Sequence, residues 1–173
     1  MQEEKSPWKV IYTASRQEKK VVALLQKMNI PCYLPLIKQL RFWSDRKKWV
    51  EAPLFHGYVF VKPEPKDRDT VTSLPGVVKF IRHNGSDALV PEKDIALIQN
   101  LILKGYNIEE SGNLSDFKKG DTVQILQGPL KGITAEVLQS GTEKFILLSF
   151  DTISQTVKVF LPQAILKKIE KTV

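Results

Sequence analysis

The stretch Pro53-Leu-Phe-His-Gly-Tyr-Val-Phe-Val-Lys62 constrains the fold more than any other part of the chain. Its second half, Tyr58-Val59-Phe60-Val61, sets aromatics at one parity and valines at the other, so a strand here has two apolar faces and both must be covered. Helices of the same domain can cover one face. A small domain seldom has enough helix for two, which leaves either a central core strand or a Tyr58/Phe60 face turned towards a partner. Gly57 interrupts the alternation: a glycine entering a strand often marks a bulge, and a bulge brings Phe55 to the side of Tyr58 and Phe60.

A chain of 173 residues holds one ordinary domain or two small ones, and with 42% hydrophobic residues it can build a core. No apolar run reaches the roughly 18 residues of a membrane span, and Met-Gln-Glu-Glu-Lys at the start has no signal-peptide pattern, so a cytoplasmic protein without membrane contact is expected. The single cysteine, Cys32, excludes an internal disulfide, and with His56 and His83 the only histidines no metal site or other cofactor is expected. Residues 1–104 carry 18 Lys and Arg against 11 Asp and Glu, whereas residues 105–173 carry 8 against 8. The net charge of +7 therefore belongs to the first part, which suits a polyanion partner or ordinary solubilising charge.

Trp8 to Ala14 reads as a strand, and Ser15-Arg-Gln-Glu18 as a capping box opening a helix whose Val21, Leu24, Leu25 and Met28 form an apolar stripe ended by Asn29 and Pro31. Cys32 to Phe42 and Lys48 to Leu54 read as strands joined by a polar tip at Ser44-Asp-Arg-Lys47. Lys38, Arg41, Arg46, Lys47 and Lys48 cluster there with Phe42, Trp43 and Trp49. Cations neutralise phosphates and aromatic faces stack on unpaired bases, so the hairpin suits nucleic acid; a solvated hairpin with two structural tryptophans is the competing reading.

Beyond Pro63-Glu-Pro65, a short helix capped by Asp67 is expected over 67–73, then a strand from Val77 to Arg82, a turn at His83-Asn-Gly85, and a helix after Pro91 with an Ile95, Ile98, Leu101, Ile102 stripe. His56 and His83 fall in turn-like contexts with no acid or nucleophile beside them, and no phosphate-binding glycine loop is present, so no enzymatic role is expected. The order of elements predicts an α+β domain over 1–104, an antiparallel sheet flanked by helices. Residues 105–115 read as a linker. Short strands at Val123/Ile125, Ile133–Val137, Phe145–Phe150 and Val157–Leu161, a one-turn connection at Pro162-Gln-Ala164 and a last strand through Ile169 predict a small, strongly bent β-barrel over 116–173.

The block from Phe117 through Gly128-Pro-Leu-Lys-Gly-Ile133 to Val137 resembles a KOW motif, the first strands and tight turn of an SH3-like barrel. Trp8-Lys-Val-Ile-Tyr12, Pro53–Val61 and Leu74-Pro-Gly-Val-Val-Lys-Phe-Ile81 resemble, in order and spacing, the N-terminal domain of the NusG family. The compact hairpin after Pro31-Cys-Tyr-Leu-Pro35 and the form of the Gly128–Ile133 turn look more like the specialised paralogues of the RfaH and UpxY type. The resemblance implies a transcription elongation or antitermination factor that binds RNA polymerase, at the β′ clamp helices through an apolar pocket and at the β gate loop. Carried over, the pocket is Tyr12, Pro35, Phe55, Tyr58 and Phe60, and the gate-loop contact is Asp67, Thr70 and Thr72. Upstream and non-template DNA fall to Arg16, Lys20, Arg41, Trp43, Arg46, Lys47 and Lys48. Where the family often has two phenylalanines contacting a ribosomal protein or Rho, this chain has Leu130 and Ile133. The alternative is a ribosome-associated or RNA-binding KOW protein that does not act on polymerase.

Overall fold

The computed structural model describes residues 6–105, 118–127, 130–140, 143–150, 153, 155–159 and 166–169. The chain divides into two compact units, Met1–Ile95 and Ala96–Val173, so the division falls inside a helix rather than at residue 104, where the charge balance changes. Apart from Gly105, the expected linker lies outside the described residues.

In the first unit, β1 (Trp8–Thr13) leads through α1 (Glu18–Lys27) to β2 (Cys32–Tyr33), β3 (Leu36–Phe42), β4 (Lys47–Pro53) and β5 (Tyr58–Val61). A 3-10 turn, Pro65–Asp67, runs into α2 (Arg68–Thr72), followed by β6 (Val77–Phe80), β7 (Arg82–His83), β8 (Ser86–Asp87) and β9 (Leu89–Val90); α3 (Glu92–Leu103) starts in this unit. The main sheet is antiparallel in the order β2-β5-β1-β6, with β9 also pairing with β1. The valine face of β5 is covered as its parity demands: Val59 and Val61 join Ile11 of β1, Val21 and Leu25 of α1, Val71 of α2, Ile30 and Phe80 in one buried cluster. Helical spacing brings Val21 and Leu25 to one side of α1, and burying such side chains stabilises by about 1.5–3 kcal/mol each.

Several local expectations are corrected. The Ser15–Glu18 capping box does not form: α1 begins at Glu18, Gln17 at its N-cap makes no side-chain bond, and Arg16 at φ +62° turns the chain so that the Glu18 carboxylate is buried and used elsewhere. Asn29, at φ +57°, does end α1 in the left-handed conformation that favours asparagine, with the Ile30 amide donating to the Leu25 carbonyl. The long strand expected from Cys32 is two strands in two sheets, because buried Pro35 has no amide to donate to a ladder. Asp67 heads α2 without capping it; its carboxylate accepts the Glu64 amide at 3.2 Å. The strand from Val77 ends at Phe80. Arg82–His83 pairs instead with Ser86–Asp87 across Asn84 and Gly85, both at positive φ as a type I′ turn requires.

In the second unit, β10 (Thr122–Ile125), β11 (Thr134–Ser140), β12 (Glu143–Phe150), β13 (Gln155–Val159) and β14 (Leu166–Ile169) form an antiparallel sheet in the order β13-β12-β11-β10-β14. The expected short strands are all present, and alternate residues Val123, Ile125, Ala135 and Val137 are buried. The connection read at 162–164 lies outside the described residues. In α3, Ile95, Ile98 and Leu101 are buried as their spacing indicated.

The β7–β8 hairpin is tied back by Asp87. Its carboxylate receives Arg68 Nε and a terminal guanidinium nitrogen, each at 2.9 Å, and Lys9 Nζ at 3.1 Å, while both cations also face the Phe80 ring. The Arg68 guanidinium first, and Lys9 after it, hold the Asp87 carboxyl down from 3.8 to about 2. A depressed folded-state value means that the stabilisation is complete above the ordinary carboxylate range and is lost as pH falls through the folded value. Asp87→Asn should therefore lower stability by about 1–2 kcal/mol near neutral pH, Arg68 being partly solvated. In urea titrations the gap from the parent protein should close as pH drops from 3.8 to about 2. A gap independent of pH would mean that the carboxylate charge is not what holds the hairpin.

Candidate functional site

The second face of the main sheet carries Val10 and Tyr12 of β1, Tyr58 and Phe60 of β5, and Tyr33 of β2, because the register sets Val10 opposite Phe60, Tyr12 opposite Tyr58 and Tyr33 opposite Phe60. Burial falls along this face. Val10 and Phe60 are fully buried, Tyr58 is half-buried and Tyr12 is 38% exposed. Phe60 is closed over by Tyr33, stacked at 6.2 Å, and by Phe55, edge-on at 6.3 Å. Of the five residues expected to form an apolar pocket, Pro35, Phe55 and Phe60 are thus interior, and Tyr12 and Tyr58 alone reach the surface, as an edge-to-face pair with centroids 5.6 Å apart. Tyr33 was missed because a two-residue strand carries no periodicity. Burial pushes its hydroxyl pKa up to about 12, so it stays protonated in use.

Gly57 fixes where the tyrosine pair stands. Its carbonyl accepts the Thr13 amide at 2.8 Å and its amide donates to Glu18 Oε1 at 2.9 Å. It lies at φ +80°, and a Cβ there would come within 2.7 Å of Tyr12 Cε2, so the ring lies flush on bare backbone. The glycine forms a turn ahead of β5 rather than a bulge within it, yet Phe55 still arrives beside Phe60 as the bulge argument expected.

Next to the pair, a groove of about 470 Å³ is lined by Tyr12, Arg16, Lys19, Arg41, Trp43 and His56, among others. Its far wall is the β3–β4 hairpin, a sheet of its own in which Arg41 faces Lys48, Phe42 faces Lys47 and Leu40 faces Trp49. Arg16, Lys20, Arg41, Arg46, Lys47 and Lys48 are all exposed, as is Trp43 at 57%. Of the expected nucleic-acid residues, Arg16, Arg41 and Trp43 meet at this groove and Lys48 shares the Arg41 face of the hairpin, whereas Lys47 lies on its opposite face. On α2, Thr70 and Thr72 are exposed and Asp67 is half-buried against the Glu64 amide. In the second unit Leu130 is buried, since the turn that bonds the Ile133 amide to the Leu130 carbonyl and the Gly132 amide to the Ile125 carbonyl folds it inward; only Ile133 is left partly exposed. Among the described residues, no group of three or more histidine, cysteine or acidic side chains is placed to hold a metal, and no helix is long and apolar enough to cross a membrane.

Residues 6–99 match the protein-family model described as transcription termination factor nusG. The transcription termination/antitermination protein NusG of Bacillus subtilis is 28% identical over 148 residues, 79% of this chain and 83% of that protein. Its counterpart in Helicobacter pylori strain J99 is 31% identical over 111 residues, 58% of this chain and 56% of that protein. A solved structure of Thermotoga maritima NusG, described as concerning domain interaction, aligns over 95% of this chain and 97% of its own with a TM-score of 0.59 and 23% identity, a likeness of fold.

The Gly57 clamp yields a direct test. Glu18→Ala should cost about 1–3 kcal/mol by stranding the Gly57 amide, and Glu18→Gln, which keeps an acceptor oxygen, should cost clearly less. Gly57→Ala should lose about 1–2 kcal/mol to backbone strain and displace the Tyr12 ring, visible as a shift of its aromatic NMR resonances. Equal stability of Glu18→Ala and the parent would mean that Glu18 does not hold the Gly57 peptide.

Proposed function

The chain belongs to the NusG family, and on that premise we propose that it is a transcription elongation and antitermination factor that grips RNA polymerase through its first unit. The observation that carries this reading is the Tyr12–Tyr58 pair: two edge-to-face tyrosines at the exposed end of the aromatic face, held in place by Gly57 within the family-matched residues. Aromatic anchors of this sort dominate protein interfaces. In this reading the pair meets the β′ clamp helices, Thr70 and Thr72 of α2 meet the β gate loop, and the basic hairpin lies along upstream or non-template DNA. Bridging both sides of the cleft makes binding energy available mainly in the closed clamp, so the paused, open form loses population. The compact hairpin and the Gly128–Ile133 turn favour a specialised paralogue of the RfaH or UpxY type serving particular operons. The second unit is read as a KOW-type barrel that offers Ile133, rather than Leu130, to a ribosomal protein or Rho. The role is non-enzymatic and cytoplasmic and uses no cofactor.

Tyr12→Ala should weaken binding to a β′ clamp-helix fragment by about 2 kcal/mol, roughly thirtyfold, with little change in stability. Phe60→Ala and Phe55→Ala should instead cost about 3–5 kcal/mol of folding free energy. Affinity and thermal melting measured on the same proteins separate these outcomes. Unchanged affinity in Tyr12→Ala would overturn the site, and capture of ribosomal subunits without polymerase would turn the assignment to a ribosome-associated protein.

A further inference from the structure

The sheet face that carries the tyrosine pair has a second end, at Trp8. The β1–β9 register sets Trp8 opposite Val90, and one step beyond the Lys9–Val61 pair of β1 and β5 it stands beside Lys62. Trp8, Val10 and Tyr12 share a parity, so this row lies about 13 Å along β1 from the tyrosine pair. Trp8, Lys62 and Val90, with Leu89 of β9 and Pro91 and Glu92 at the head of α3, line a groove of about 630 Å³, the size of a small-molecule site. Trp8 is only 9% exposed, and among the described residues its Nε1 is one of two buried polar side-chain atoms with no hydrogen-bond partner. The Lys62 ammonium stands 4.7 Å over the same ring and donates to Glu92 Oε2 at 2.8 Å. The two partners are unequally placed, the Lys62 side chain being 15% exposed and that of Glu92 71%.

We propose that this groove binds a small carboxylic acid with an apolar body, its carboxylate on Lys62 and the Trp8 indole N–H and its hydrocarbon against Leu89, Val90 and Pro91. The donors decide the charge of the ligand. A buried N–H without an acceptor is costly, and a nearly enclosed ammonium gains most from an anion that is itself out of water. Glu92 supplies an anion from a side chain that is largely solvated, so that pair is weak, and the N–H is left unserved. A ligand carboxylate has two oxygens, one for the ammonium and one for the N–H of the ring beneath it. It enters by displacing Glu92 from Lys62, and the exposed Glu92 side chain turns out into water. An alcohol of the same body lacks the charge that Lys62 calls for, and an amine would meet Lys62 with like charge. The groove lies apart from the tyrosine pair and the basic hairpin, and the proposal does not rest on the polymerase reading.

Octanoate, octanol and octylamine share one chain and differ in head group, so titrating each into the full-length protein isolates the carboxylate. Octanoate should bind a single site with a Kd of about 1 mM or below, roughly tenfold tighter than octanol, and octylamine should not compete for it. In NMR spectra of isotope-labelled protein, octanoate should move the Trp8 indole N–H resonance downfield and leave those of Trp43 and Trp49 in place; loss of the peak in Trp8→Phe assigns it. Lys62→Met keeps the apolar stem and should weaken octanoate by about tenfold or more, abolishing its advantage over octanol. Glu92→Gln removes the competing carboxylate and should tighten octanoate by about two- to fivefold, whereas an ion pair with a structural role alone would give no gain. Glu92 is at the surface, and the circular dichroism of this variant should match the parent. Equal affinity for octanoate and octanol, an unmoved Trp8 resonance, or no gain in Glu92→Gln would overturn the site. So would a dimer that octanoate leaves intact and Leu89→Ser dissociates, because a second copy would then fill the groove. Tyr12→Ala should bind octanoate as the parent does, whatever happens to its affinity for the clamp-helix fragment, so failure of one reading is told apart from failure of the other.

Discussion

The peptide unit of Gly57 is the point on which the first unit and its candidate surface both depend. Its carbonyl closes onto the end of β1 through the Thr13 amide, and its amide is taken by the buried carboxylate of Glu18 at the start of α1. One peptide thus joins the central strand, the first helix and the turn that launches β5. Burying a carboxylate is costly unless it is hydrogen-bonded, so Glu18 is tolerable in the interior only because that amide is there to meet it. The glycine has no Cβ, and the space a Cβ would fill belongs to the Tyr12 ring. Core assembly and the position of an exposed aromatic are therefore set by the same residue.

From that point the aromatic face grades from interior to surface. Tyr33 and Phe55 close over Phe60, while Tyr12 and Tyr58 continue the same face outward. A rigid, two-torsion aromatic backed by a packed core loses little entropy on binding, which is what makes an anchor out of an exposed ring. The opposite, valine face closes on α1 and α2 and has no such open end. The two faces of β5 differ in their cover: Val21 and Leu25 of α1 and Val71 of α2 close over the valines, whereas Phe60 is covered by single side chains from β2 and from the loop before β5.

What the sequence made legible follows from the range of its signals. Parity in Tyr58–Val61, the Val21/Leu25 stripe, the Asn-Gly turn at Asn84 and the strand spacing after residue 117 are local patterns, and each element appears where its pattern lies. The errors arise where a residue's local pattern does not state which partner it finds in the folded chain. Glu18 has the spacing of a capping box but bonds a residue 39 positions away. Phe60 has the parity of a partner surface but is covered by Tyr33, whose two-residue strand leaves no periodic trace. Leu130 sits in a turn, where exposure is the default, yet the turn's own hydrogen bonds fold it inward.

The basic hairpin illustrates how far charge counting can go before geometry must take over. Composition located the cations and aromatics in the same stretch, but alternation along β3 and β4 sorts them onto two faces with different chemistry: Arg41 and Lys48 on the groove side, Phe42, Lys47 and Trp49 on the other. A cation alone reads only phosphate and cannot tell a single strand from a duplex. An exposed ring alone is indifferent to charge and invites any apolar surface. Lys47 and Trp49 are two positions apart on β4 and so share a face, and the register sets Lys47 opposite Phe42; a hairpin that forms a two-stranded sheet of its own can carry exposed rings beside cations without disturbing the core beneath Tyr12.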